Sequence, residues 1–262
     1  MPITNFSSLI LKGAGTRGIP EIPGGGGSSF SNTKSLAFDG VDEYVKTPDN
    51  YTLLDGLENF AFSFWIKPTD TGTNRQILSI GMSSPDTRAS QFQIFRKSDN
   101  VIQFYMAGLS YAARTGVDTV AQDQWSHILV TRDDGRAANL KVKIFINGVD
   151  QTTSDSTRFA SPSNSTSGLY IGEHQNGWNA PFLGNIDEVA IYNQDMAAYI
   201  DEIYASGTVV DLNNLDTAPA PNTWFRNGDG DTYPTITDNG SSGQNGTMTN
   251  MEAGDISSDV PS

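Results

Sequence analysis

Strict two-residue alternation constrains this chain more than any other feature in it. In FAFSFWIKP (60–68), Phe60, Phe62, Phe64 and Ile66 fall on one face and Ser63, Trp65 and Lys67 on the other. LKVKIFING (140–148) repeats the pattern, with Leu140, Val142, Ile144 and Ile146 opposed to Lys141 and Lys143. It ends in Asn147-Gly148, the residue pair a type I′ hairpin turn asks for. WSHILVTRD (125–133) also alternates, and QFQIF (91–95) and VIQFYM (101–106) flank a turn signal at Ser98-Asp99-Asn100. LYIGE (169–173) and FLGNIDEVAIYN (182–193) complete the set. Short apolar runs separated by polar loops build a sandwich of antiparallel sheets, not a βαβ fold.

One helix is expected, over 195–206. Met196, Tyr199, Ile200, Ile203 and Tyr204 form a single apolar stripe. Asp195 is placed to cap its start and Gly207 to end it. The stripe suits packing on the sandwich. Residues 1–33 read as an N-terminal arm, in which Ser8, Leu9, Ile10 and Leu11 are the one apolar cluster. Gly24 to Gly27 with Ser28 and Ser29 make a flexible joint behind it. Residues 34–210 hold the sandwich, and 211–262 form an acidic C-terminal segment.

Charge narrows the function classes. Sixteen Lys and Arg stand against thirty Asp and Glu, a net charge of −14. Such a chain lacks the basic footprint of a nucleic-acid binder and is repelled by an anionic membrane surface. It has no cysteine, hence no disulfide framework and no thiolate metal site. No apolar run approaches the ~18–20 residues of a membrane span. Met1 to Lys12 lacks the basic and apolar regions of a standard secretory signal, so none is expected.

Five strings in order carry a family resemblance: SLAFDGVDEYV (35–45), FAFSFWIKP, WSHILVTRD, IFINGV (144–149) and FLGNIDEVAIYN. Together they resemble the laminin-G-like, concanavalin-A-like jelly roll of the pentraxin type, over about residues 34–210. The resemblance implies an all-β jelly-roll sandwich with one short helix. The end of the stretch from Trp224 to Met251 is similar to the segment that ordinarily opens such a domain. It either folds back as a permuted edge strand or begins a second module. Neighbouring chain termini favour the first. The layout is also similar to structural proteins of marine tailed phages. That looser resemblance implies a virion surface protein, a decoration or fibre-like element, held by Ser8–Leu11 to other virion proteins and able to form homo-oligomers. The alternative location is extracellular or on a cell surface.

Candidate chemistry is sparse. Jelly-roll glucanases place paired carboxylates on one strand as Glu-x-Asp-x-(x)-Glu, and no such string occurs. Asp187 and Glu188 are adjacent, so on a regular strand they point to opposite faces. His127 reads as a structural histidine within a strand. An enzyme is therefore not expected, although a glycoside hydrolase is kept as the last alternative. Calcium is the expected cofactor, since hard cations gather several oxygens. The resemblance implies one site from Asp39 and Asp187, helped by Asp42 and the Gly40 carbonyl. A second is suggested by Asn227, Asp229, Asp231 and Asp238, at positions 1, 3, 5 and 12 of an EF-hand-like count. Thr232 at position 6 and Pro234 depart from that pattern. Trp178, among His174, Gln175, Asn176 and Asn179, offers a stacking platform with amide partners for a host glycan. The main expectation is a non-enzymatic virion structural protein, and its rival a calcium-dependent carbohydrate-binding adhesin module.

Overall fold

The alternation of residues 60–68 becomes the middle of a sheet. The computed structural model describes residues 30–80, 92–106, 113–117, 119–137, 140–155, 166–174 and 180–261. In it Phe60–Pro68 forms β3, whose Phe60, Phe62, Phe64 and Ile66 are fully buried between two sheets. Ser63 and Trp65 turn to the sheet's other face, where Trp65 packs on His127 and Tyr204. The first sheet runs in the order β10 (Val149–Asp150), β9 (Val142–Ile146), β8 (Ser126–Arg132), β3, β13 (Leu183–Tyr192), β1 (Ser35–Asp39) and β17 (Ile256–Ser257). β14 (Thr223–Phe225) also pairs with β13. The second sheet runs β11 (Thr152–Asp155), β7 (Ala113–Thr115), β6 (Ile102–Met106), β5 (Phe92–Arg96), β4 (Arg75–Ile80), β12 (Leu169–Ile171), β2 (Tyr44–Lys46), β16 (Gly246–Thr249) and β15 (Thr235–Ile236). Phe62 of one sheet meets Phe92 of the other at 4.2 Å between ring centroids, with Phe104 beside both.

The turn chemistry acts locally. Asn147 (φ 49°) and Gly148 (φ 79°) both take the left-handed conformation that a type I′ turn needs. Asn100 (φ 59°) closes the β5–β6 hairpin with its amide on the Lys97 carbonyl. Gly184 (φ 128°) lies so close to β3 that a Cβ would run into the Lys67 carbonyl.

Residues after 222 supply strands to both sheets: β14 and β17 to the first, β15 and β16 to the second. Phe225, Ile236, Met248 and Met251 are part of the main core. β1 covers the first half of β13, through Leu183–Ile186, and β14 covers the second, through Val189–Ile191. At the end of the β1 register the Asn227 side-chain amide donates to the Ile186 carbonyl (3.1 Å).

Two expectations change. The helix is shorter than its stripe: a 3₁₀ turn at Ala197–Tyr199, α1 at Ile200–Tyr204, then a second tight turn at Ala205–Gly207. Left-handed Ala205 (φ 45°) ends it before Gly207 is reached. Asp195 does hold the Ala197 amide at its start (3.1 Å), and Met196, Ile200 and Ile203 are buried as the stripe requires. The second change is in β13. A bulge between Asp187 and Ala190 sets two residues against one of β3, with Glu188 at φ 51°. Ile186, Val189 and Ile191 face the main core, while Ala190 and Tyr192 face the other side. Asp187 and Glu188 thus share the outer face, where a regular strand would separate them. The arm cluster Ser8–Leu11 and the glycine joint lie outside the described residues.

Because Phe225 is fully buried where β14 joins β13, Phe225→Ala should cost about 3–5 kcal/mol. Urea titration should show a lower midpoint at an unchanged slope.

Candidate functional site

The two sheets present different outer faces. That of the first is covered by the chain itself, down to a small cleft lined by Ser63, Trp65, His127, Glu188, Ile203 and Val210. Leu129, Phe145, Ala190 and Tyr192 of the sheet pack beneath Met196, Ile200, Ile203, Leu212, Ala218 and Trp224. On it, His127 is buried, its Nε2 sharing a hydrogen bond with Ser63 Oγ (2.8 Å). Burial alone pushes its pKa down to about 3, so it stays neutral and structural.

The Asp187–Glu188 pair lies under the same cover, at 0% and 2% exposure. Asp187 accepts from the Asn32 side-chain amide (2.9 Å) and the Glu188 amide (2.8 Å). Glu188 accepts from the Trp224 indole (2.6 Å) and from Arg226 Nε (3.3 Å). Arg226 also donates to the Ser31 carbonyl (2.6 Å) and lies over the Phe30 ring at 4.4 Å. Burial raises both carboxyls, Glu188 to about 7 and Asp187 well above its usual range. Nearby Asp229 pushes them the same way.

The expected calcium sites do not assemble. β1–β13 register sets Asp39 opposite Leu183 and Leu36 opposite Ile186. Asp187 and Asp39 are therefore four residues apart along the sheet, roughly 13 Å. Asp39 instead accepts the Val41 amide (2.8 Å) in a turn, the Gly40 carbonyl accepts from Arg75 (3.3 Å), and the Asp42 carbonyl accepts from Asn250 (3.0 Å). The EF-hand-like set also points apart. Asp229 accepts from Thr33 and from the Lys34 amide. Asp231 takes the Gly228 and Thr237 amides, and Asp238 those of Trp224, Gly240 and Gln244. Of the side-chain oxygens in the set, Asn227 Oδ1 is the one left buried without a partner, and calcium wants six to eight oxygens. Among the described residues no three His, Asp or Glu side chains are grouped to hold a metal ion. Asn227, Asp229 and Asp42 instead help tie the C-terminal segment to the sandwich, while Asp231 and Asp238 hold turns within that segment.

The outer face of the second sheet is different, and the sequence reading missed it. Because Ile102, Phe104, Ala113, Leu169 and Ile171 point into the core, their alternates point out. Register then sets Arg114 beside Gln103, Gln103 beside Phe95, and Phe95 beside Gln76. The next row is Tyr105, Gln93, Ser79, Tyr170 and Lys46. Neighbours in each row are one strand spacing apart, about 4.8 Å. The Tyr105 hydroxyl donates to Gln103 Oε1 (3.1 Å), and the Phe95 and Tyr105 rings meet edge to face at 5.5 Å. Gln76 donates to the Leu78 (2.6 Å) and Ile94 (3.3 Å) carbonyls, leaving its own Oε1 buried without a partner. The alternating glutamines and aromatics of QFQIF and VIQFYM were the available signal.

His174 belongs to this face. It is buried, its Nε2 accepts from the Gln93 side-chain amide (2.9 Å), and burial lowers its pKa to about 4. Gln175, Asn176, Trp178 and Asn179 lie outside the described residues. Both flanks of that segment sit against β4: Ser79 Oγ donates to the Glu173 carbonyl (3.1 Å), and the Gln76 amide donates to the Ala180 carbonyl (2.7 Å).

Stability should fall as pH rises from about 4.5 to 7. The folded state keeps protons on Glu188, Asp187 and Glu43 (the last also raised to about 7 by burial) that the unfolded chain has already released. For Glu188 alone the loss is about 3 kcal/mol. Thermal melts at pH 5 and pH 8 should show it, and Glu188→Gln should remove much of the difference. A melting point that climbs from pH 5 to pH 8 would contradict the burial argument.

Many solved structures share this fold. A candidate carbohydrate-binding protein from Bacteroides ovatus matches 88% of this chain at a TM-score of 0.63 and 17% identity. The chain spans 62% of that protein's length. The native heptameric SAP-like pentraxin of Limulus polyphemus (TM-score 0.51, 14% identity) matches 66% of this chain and 82% of its own. The Ruminococcus gnavus IT-sialidase CBM40 bound to α2,6-sialyllactose (TM-score 0.51, 16% identity) matches 66% and 96%. None of the curated proteins matches the sequence. The family model Laminin_G_3, described as the concanavalin A-like lectin/glucanases superfamily, matches residues 39–199, more than half of the chain, and the chain belongs to that family.

Proposed function

We propose that this chain is a carbohydrate-binding module whose ligand lies on the outer face of the nine-stranded sheet. One observation carries the reading: the other sheet's outer face is covered by helix and tail, while this one carries amides and aromatics. Sugar recognition needs a ring to stack on and polar groups that fix orientation. Half-buried Tyr105 supplies the ring and Gln103 the amide. His174 orients Gln93 on the same face. The segment that carries Trp178 lies outside the described residues, and its two flanks are held on β4. The similar structures described as carbohydrate-binding support the same class.

Binding is favoured over hydrolysis. The one adjacent carboxylate pair of β13, Asp187–Glu188, is buried and out of reach of a glycosidic bond. A module of this kind serves equally on a virion, on an extracellular adhesin or on a cell surface, and neither the fold nor the similar structures favour the virion.

A glycan array probed with the intact chain tests the proposal, run with calcium and with a chelator to test the metal expectation as well. At least one glycan should bind. Tyr105→Ala and Trp178→Ala should each weaken it by about tenfold or more. Leu140→Ala, an exposed apolar change on the other sheet's hairpin, should leave binding unchanged. An array without any bound glycan would sink the reading.

A further inference from the structure

We infer that the glycan taken by this face is anionic, its carboxylate or sulfate group seated on the Arg114 guanidinium and the Gln103 amide. The inference rests on the carbohydrate reading above and names the ligand class.

Charge is unevenly spread in this chain. Although acids outnumber bases by thirty to sixteen overall, the strands of the nine-stranded sheet carry Lys46, Arg75, Arg96 and Arg114 against one acid, Asp155. Three of those cations are already neutralised. Lys46 pairs with Asp49 (2.7 Å), and Arg75 and Arg96 both pair with Asp70. Arg114 alone of the described arginines makes no ion pair. It is half-buried on the outer face, between inward-pointing Ala113 and Thr115.

A half-buried arginine that makes no ion pair leaves its guanidinium free to take an anion. Its register partner is suited to help. Gln103 has its carbonyl oxygen held by the Tyr105 hydroxyl, which leaves the amide N–H groups as its remaining hydrogen-bonding capacity. Guanidinium and amide N–H are both donors, and the Tyr105 ring stands beside them. A planar carboxylate or a sulfate accepts from such a set, and the guanidinium fork suits either. A neutral sugar would leave the charge unanswered.

The test uses matched polymers at physiological ionic strength with the intact chain: polygalacturonate against its fully methyl-esterified form, and dextran sulfate against dextran. At least one anionic polymer should bind about tenfold or more tightly than its neutral partner. The preferred pair separates a carboxylate from a sulfate ligand. Arg114→Gln should abolish the preference and Arg114→Lys should retain part of it, with thermal melts checking that each variant is folded. Lys97→Gln, which removes another unpaired surface cation, should change nothing. Equal binding of charged and neutral forms, a preference that survives Arg114→Gln, or an equal loss in Lys97→Gln would overturn the inference while leaving carbohydrate binding in place. If no polymer of either kind binds, the carbohydrate reading and this inference fall together.

Discussion

The pairing of β13 is the constraint on which the rest of the architecture hangs. Ten residues long, it is bonded to β3 along one edge and to β1 and β14 in succession along the other. Its apolar residues close the main core, and its bulge lets Asp187 and Glu188 lie together on the outer side. Without that bulge one of the two carboxyls would enter the aromatic core, where an unpaired charge costs several kcal/mol. The acid pair is instead met by Asn32, Trp224 and Arg226, which come from both ends of the described chain. The same few residues therefore fix the strand and clasp the termini to it.

That clasp decides which face can work. Once helix α1, the segment after it and Trp224 have covered the first sheet, His127 is bonded to Ser63, and Glu188 to the indole and guanidinium. The second sheet carries rows of glutamine, tyrosine and arginine, in which Gln76 Oε1 has no partner and Arg114 makes no ion pair. Acidic side chains follow the same division. In the C-terminal segment Asp231 and Asp238 are taken up by backbone amides of its own turns, and Asp229 holds the Thr33 and Lys34 amides, so a spacing that resembles a calcium loop serves to fold and fasten the tail. A carboxylate that accepts two or three amide hydrogens is already satisfied, and a cation gains little by competing for it.

What the sequence determined by itself is the local chemistry and the fold class. Period-two alternation in 60–68, 125–133 and 142–146 fixed which side chains face the core, since the pleat leaves no other choice, whereas Leu140, assigned to the same face, precedes the strand and is exposed. Asn147-Gly148 and Ser98-Asp99-Asn100 set their turns, and five strings in order marked the jelly roll. The apolar stripe of 195–206 correctly chose its buried face but overstated the helix, because left-handed Ala205 is a backbone state that the stripe does not encode. Only the tertiary structure decided which residues stand side by side. Asp39 and Asp187, paired by resemblance, are held four residues apart by the β1–β13 register. Asp187 and Glu188, separated by a regular pleat, are reunited by one extra residue. Arg114, Gln103, Phe95 and Gln76 are scattered over forty residues of chain and become neighbours across four strands. Lateral register is set by the packing of the whole core and by where bulges fall, and no single strand contains that information.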